Sequence, residues 1–286
     1  MIHSDEALAR RIEQGEAAGA RAWAEGYRRM FPEDGVEWLE VTGGCAVYAG
    51  PDSPVTQVQG AGMDGPVSEE EFDRIEDFYF SRNSRVQVVV CPLADASLLA
   101  GLGKRGYTVT EMENVLVVPL DAKAVDPAPA SEIEVRPIHP DEGREWATTV
   151  ARGFIEEPEF VPAGSDLKLG EPFIRMLLAG VGAGGHFNFA SVLGGRMIGG
   201  GGVSIHERLA MLNGASTLPR FRRRGAHSAL HCARLAHAVG AGCDLARVVT
   251  QPGSTSQRNA ERRGFQVAYT RAALVRMPDA GKRTET

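Results

Sequence analysis

One pattern occurs twice in this chain and narrows its folds more than any other feature. Val88-Val89-Val90-Cys91-Pro92 leads into a segment that closes with Arg105-Gly106-Tyr107, and Val248-Val249-Thr250-Gln251-Pro252 leads into one that closes with Arg263-Gly264-Phe265. Nine residues beyond each aromatic stands a Leu-Val pair, Leu116-Val117 and Leu274-Val275. A short apolar run suits a central strand covered on both faces. A glycine just past a helix suits the C′ position, where φ is positive. Each copy therefore reads as strand, Pro, helix, Arg-Gly-aromatic, strand. Two copies about half a chain apart point to duplication and to two similar α/β units.

The remaining segments fill out those units. Residues 4–31 place Leu8, Ile12, Ala18 and Trp23 roughly on one side of a helix that Ser4 can cap and Pro32 stops. Strands are expected at 45–49 and 55–63. Ser68-Glu69-Glu70-Glu71 has the form of a capping box, with Phe72, Ile75, Phe78 and Tyr79 following on one face. A strand at 86–90, a helix at 95–104 and a strand at 107–119 complete this half. Residues 121–131, rich in Ala, Pro and Asp without periodicity, read as a linker between a domain at 1–120 and another at 132–286. The second half offers a strand at 132–137, helices at 141–154 and 167–178, and strands at 187–193, 196–205 and 209–217. A helix at 226–239, a strand at 245–250, a helix at 255–263 and a strand at 266–276 follow.

Composition excludes several classes. The chain has 286 residues, enough for one large domain or two of ordinary size, with 43% hydrophobic and 24% charged residues. A formal net charge of −6 argues against nucleic-acid binding through a global field, although a local basic patch can still hold a small anion. No apolar run approaches the roughly 18 residues of a membrane span, so the expected setting is soluble and cytoplasmic. The cysteines, Cys45, Cys91, Cys232 and Cys243, are scattered without a CxxC pair or matching histidines, and neither a zinc site nor a disulfide framework is expected. Composition leaves the oligomeric state open, a homodimer included.

The densest chemistry lies at Ala215-Ser216-Thr217-Leu218-Pro219-Arg220-Phe221-Arg222-Arg223-Arg224-Gly225-Ala226-His227-Ser228. A strand ends at Pro219, a basic turn follows, and a helix starts at the glycine. A helix start leaves four backbone N–H groups without internal partners, and its dipole favours negative charge. Gly225 lets the backbone approach a ligand closely, since no side chain intervenes. With Arg220, Arg222, Arg223 and Arg224 crowding the turn, amides and guanidiniums together suit a pyrophosphate. The dipole supplies only about 0.3–1 kcal/mol, so the arginines and aligned amides must supply most of the binding. The plain alternative is a solvated basic turn.

In these residues the chain resembles the GNAT N-acetyltransferase superfamily. That family's signature is Gln/Arg-x-x-Gly-x-Gly/Ala at the start of the helix after the fourth strand, here Arg222-Arg223-Arg224-Gly225-Ala226-His227. Ser254-Thr255-Ser256-Gln257-Arg258-Asn259-Ala260-Glu261-Arg262-Arg263-Gly264-Phe265 resembles its later helix and closing Gly-Phe. The resemblance spans roughly 132–277, with the order β-α-α-β-β-β-α-β-α-β. It implies an α/β protein of two tandem GNAT-like domains, with a mixed sheet flanked by helices. It also implies a cradle for acetyl-coenzyme A at Thr217, Leu218, Arg222, Arg223, Arg224, Gly225, Ala226, His227 and Ser228, with Asn259 on the pantetheine arm.

The chain departs from the family at several places. His227 stands where Gly or Ala is usual, and its imidazole can donate to a phosphate or point to solvent. Ala260 replaces the tyrosine that many members use to protonate the departing thiolate. Ser256 or a water can take that role, and Ser256 can equally be a helix N-cap. Asn259 can equally be an exposed helix residue. In the first half, Met63-Asp64-Gly65-Pro66-Val67-Ser68-Glu69-Glu70-Glu71 stands where the arginine turn would be, with one amide donor removed by Pro66 and three carboxylates that would repel a pyrophosphate. That half reads as a non-catalytic copy.

The acceptor side is expected in Phe154-Ile155-Glu156-Glu157-Pro158-Glu159-Phe160, where carboxylates beside aromatics suit a cationic amine, although a solvated acidic loop has the same composition. The resemblance implies direct transfer from acetyl-coenzyme A to a small amine. Glu156 or Glu157 would accept the amine proton through water, and a backbone N–H near Leu218 would polarise the thioester carbonyl. The rival expectations are a sensor that binds acyl-coenzyme A without turnover, and a different reaction, hydrolysis or decarboxylation, on the same cradle.

Overall fold

Both copies of the repeated pattern form the elements their sequences imply. The computed structural model describes residues 3–51, 53–121, 132–156 and 170–278. In the first half α1 (Glu6–Met30), β1 (Glu37–Val41), β2 (Gly44–Tyr48), β3 (Gln57–Gln59), α2 (Glu69–Phe80), β4 (Val86–Val90), α3 (Ala96–Lys104) and β5 (Thr108–Pro119) follow one another. The second half runs β6 (Ile133–Pro137), α4 (Gly143–Ile155), α5 (Glu171–Gly182), β7 (His186–Leu193), β8 (Arg196–His206), β9 (Leu209–Thr217), α6 (Ala226–Gly240), β10 (Leu245–Thr250), α7 (Thr255–Glu261) and β11 (Gln266–Arg276). The repeat corresponds to β4-α3-β5 and β10-α7-β11. Gly106 (φ 76°) and Gly264 (φ 81°) turn the chain after each helix, and the next residues, Tyr107 and Phe265, return backbone N–H bonds to Leu102 and Ala260 at 3.1 and 3.2 Å. Both aromatics are buried.

The eleven strands among the described residues form one mixed sheet, ordered β1-β2-β3-β4-β11-β5-β10-β9-β8-β7-β6. Two joints are parallel, β3 with β4 and β9 with β10, and each is bridged by one helix, α2 or α6. The other joints are antiparallel. The halves exchange their last strands. β11, from the second half, lies between β4 and β5, and β5, from the first half, lies between β11 and β10. The linker expected at 121–131 falls, apart from Asp121, outside the described residues.

Helix α1 straps this exchanged centre. On its inner face Glu13 and Glu16 are buried among Arg247 of β10, Arg271 of β11 and the Tyr269 hydroxyl. Tyr269 Oη donates to Glu13 Oε1 at 2.7 Å, and Arg271 Nε bonds Glu113 of β5 at 2.9 Å. Burial pushes the Glu13 carboxyl up. Burial also opposes ionisation of Glu16, but Arg247 and Arg271 outweigh it and hold that carboxyl below its ordinary value. The same helix touches the second half through Trp23 Nε1, which donates to the Met176 carbonyl of α5 at 3.0 Å.

Several local expectations are corrected. Asp5, not Ser4, caps α1: its carboxylate accepts the Leu8 N–H at 2.8 Å, while the Ser4 hydroxyl donates to the Ala268 carbonyl. Ser68 caps α2, accepting from Glu71 N at 3.2 Å, but the Glu71 side chain does not return to Ser68; the turn after β1 brings the Thr42 N–H to it at 2.9 Å. The strand expected over 55–63 is confined to 57–59, because Gly60 and Gly62 take positive φ and bend the chain. The strand at 37–41 was not foreseen. All four cysteines are buried and unpaired, and among the described residues no helix is long and apolar enough to cross a membrane.

Candidate functional site

The site is built where β9 parts from β10. Their parallel ladder runs only from Leu209↔Leu245 to Leu212↔Val248, although both strands continue. Beyond it, Val249 and Thr250 pair with β5 on their other side, and β9 follows β8. The β8–β9 register shifts between Gly200↔Ser216 and Gly202↔Asn213, so β9 holds an extra residue there, and Gly214 takes φ 51°. Gly214 and Ala215 have no register partner on β8. A wedge thus opens between Asn213–Thr217 and the end of β10. The Thr250 hydroxyl, at that end, is buried without a hydrogen-bond partner among the described residues.

The basic turn closes the wide end of the wedge. After β9 a 3₁₀ turn covers Pro219–Phe221, and Arg223 (φ 62°) and Gly225 (φ 91°) both take left-handed backbone before α6 begins at Ala226. A left-handed non-glycine residue costs of order 1–3 kcal/mol and persists only where its surroundings impose it. A Cβ on Gly225 would meet nothing within 4 Å, so the positive φ, and not crowding, calls for glycine and leaves the backbone bare. No side chain caps α6, so its first amides are left for another acceptor. Arg223 and Arg224 are exposed, Ser228 is half-buried, and Ala226 turns its methyl into a cluster with Ile133 and Ile198.

Three solved structures share this architecture. A GCN5-related N-acetyltransferase from Kribbella flavida superposes with a TM-score of 0.58 at 16% identity, covering 91% of this chain and 94% of that one. A tandem GNAT protein from the clavulanic acid biosynthesis pathway gives 0.55 at 14% identity over 81% of this chain and 73% of its own. A functionally unknown conserved protein from Staphylococcus epidermidis gives 0.53 at 10%, over 80% and 87%. The fold is that of the tandem GNAT proteins. No family model and no curated protein matches the sequence.

Within this GNAT fold the expected site residues fare differently. Thr217, Leu218, Arg222, Arg223, Arg224, Gly225, Ala226, His227 and Ser228 gather at the wedge and the helix start. The Leu218 N–H is committed, however: it donates to the Ile198 carbonyl at 2.9 Å and extends the β8–β9 ladder, so it cannot polarise a substrate. Arg222 does not point outward alone. Its Nε bonds the Thr217 carbonyl at 3.3 Å and its Nη2 the Gly153 carbonyl at 3.0 Å, which ties the end of α4 to the basic turn. His227 sits in the first turn of α6, on the face that carries His231. It is half-buried 5.5 Å from the His231 ring, and burial, with Arg234 and Arg263 nearby, lowers it to about 4. Ser256 is exposed and is not the cap of α7; Ser254 is, accepting from Gln257 N at 3.1 Å. Asn259 is half-buried on α7.

On the acceptor side, Phe154 and Ile155 belong to α4, and Phe154 meets Phe173 of α5 edge-on at 6.3 Å. Glu156 caps α4 and is bound by Arg152 Nε at 2.6 Å. Glu157, Pro158, Glu159 and Phe160 lie outside the described residues. Helix α4 presses on β9: Ser216 Oγ donates to the Val150 carbonyl at 2.7 Å, and a Cβ on Gly153 would lie 2.4 Å from the Ser216 hydroxyl oxygen. Two features escaped sequence reasoning. Arg234 is buried with no carboxylate partner among the described residues, donating to the carbonyls of Leu230, Gly202 and Asn213. Its only sequence signal was the i, i+4, i+7 spacing of His227, His231 and Arg234 on one face of α6. The orphaned Thr250 hydroxyl carried none.

Proposed function

We propose that the second half binds an acyl-coenzyme A and transfers its acyl group to an amine. The observation that carries this reading is the uncapped start of α6 beside Gly225 and the arginines, opening on the wedge between β9 and β10. The residues fit the donor: bare amides and guanidiniums suit a pyrophosphate, and the wedge, with the unpartnered Thr250 hydroxyl, suits an extended amide-bearing arm. Acetyl-coenzyme A is the simplest donor and a small amine the proposed acceptor. Bound there, the thioester would supply an activated acyl carbon.

In transfer the amine nitrogen forms a bond to that carbon, the C–S bond breaks, and the amine proton leaves as the thiolate gains one. Glu156, its carboxylate held by Arg152, takes the amine proton through water. With the Leu218 amide engaged, Gly214 and Ala215, outside the β8–β9 ladder, are the backbone candidates to polarise the carbonyl. The first half is proposed to bind no donor. Arg105 there engages Glu69, Asp73 and Glu76 at 2.8, 2.8 and 3.0 Å, so the start of α2 already holds its own carboxylates.

A second reading has one observation in its favour. Ala260, at the place of the family's tyrosine, is buried in the core with Phe265 and offers nothing to the wedge. The chain could then hold acyl-coenzyme A without turning it over. Release of free thiol across a panel of amines decides: turnover with any amine supports transfer, and tight binding without thiol release supports the sensor.

A further inference from the structure

The basic turn holds more cation than one pyrophosphate site uses. Phe221 packs its ring against Ile133, Ile198 and Ala226, and three guanidiniums gather on that ring. The Arg220 carbon lies 4.9 Å from its centroid, and those of Arg224 and Arg196 each lie 5.9 Å away. Arg220 and Arg224 come from the turn itself, whereas Arg196 comes from the start of β8, outside the signature that marks the cradle. All three are exposed, and among the described residues none has a carboxylate within ion-pair distance. By contrast, Arg105, Arg175 and Arg271 each meet carboxylates. Three like charges on one ring repel one another, and the ring quadrupole offsets only part of that at an exposed position. A bound anion relieves that repulsion.

The geometry points to a second anion subsite, formed by Arg196 and Arg220 on the Phe221 platform, that takes a phosphomonoester dianion. Resting on the acyl-coenzyme A reading, this subsite receives the ribose phosphate of the cofactor while Arg224 and the α6 amides face its pyrophosphate. The chain therefore selects the phosphorylated cofactor over its dephospho form. Arginine suits the task because its planar fork binds phosphate oxygens in pairs, which lysine's point charge does not.

Calorimetric titration with coenzyme A and with dephospho-coenzyme A tests this on the wild type, Arg196→Ala and Arg220→Ala. The wild type should bind coenzyme A roughly tenfold or more tightly than the dephospho form, as expected for a charge-assisted contact. Arg196→Ala should lose most of that preference and keep its affinity for the dephospho form. Thermal melting of each variant establishes that it is folded, and Arg196→Lys should restore part of the preference. Equal binding of both cofactors by the wild type overturns the subsite and leaves the cradle standing. A preference that survives in both alanine variants, or an equal loss for both cofactors, also overturns it. Failure of the wild type to bind either cofactor removes the functional reading, and this inference falls with it.

Discussion

Single residues in this chain have been given work that their type alone does not announce. Ser254 and Ser256, two residues apart, have opposite roles: Ser254 accepts the Gln257 N–H, whereas Ser256 is exposed in the first turn of α7. Ser254→Ala should therefore cost about 0.5–2 kcal/mol in chemical denaturation, and Ser256→Ala should leave the midpoint unchanged. If a water carries the proton to the thiolate, Ser256→Ala should also lower kcat by much less than about a hundredfold, the lower end of what a positioned acid supplies. A larger loss, in a folded variant that still binds the donor, would make Ser256 the donor itself. That Gly225 needs to be glycine was legible from its place at a helix start, and its φ of 91° gives the physical reason. The engagement of the Leu218 amide was not legible, because which strand a given N–H faces depends on the β9 bulge and not on its neighbours in sequence.

At the scale of elements, the helices and the short apolar strands were legible because their patterns are local. The Val86–Val90 run and the Gly106 and Gly264 caps state their structure within a few residues. β1 escaped because Glu37-Trp38-Leu39-Glu40-Val41 has no clean alternation, and it is held as a strand by its ladder with β2. Helix α6 was placed correctly, but its inner face was not: His231 and Arg234 occupy positions where an apolar stripe is usual. Burial lowers the His231 imidazole well below its ordinary value, with Arg234 and His227 adding to the effect, and lowers His227 to about 4. The unfolded chain thus takes up these protons first as pH falls. Their contribution to stability is complete above pH 6.5 and is lost as pH drops from there towards about 4. Urea midpoints measured across that window should fall with pH, and His231→Phe should flatten the slope. An unchanged slope would mean that other groups carry the acid sensitivity.

At the scale of the molecule, duplication was visible in sequence and the exchange of last strands was not, since a ladder between β11 and β4 has no local signature. The exchange makes the halves interdependent. Glu16 stands at its centre, bound to Arg247 and Arg271. Glu16→Ala would leave two buried guanidiniums short of a partner, and breaking such a pair typically costs about 3–5 kcal/mol. Denaturation of the variant should show that loss as one transition shared by both halves. Two separate transitions would mean that the exchanged strands do not couple them. The proposed division of labour makes the start of α6 in the second half a coenzyme A cradle and leaves the start of α2 in the first half without one. Calorimetric titration of the whole chain with acetyl-coenzyme A tests this most directly, alongside Arg224→Ala, whose exposed side chain takes part in no ion pair among the described residues. The account predicts one site per chain, weakened severalfold or more by the substitution; no binding, two sites per chain, or an affinity untouched by Arg224→Ala would contradict it.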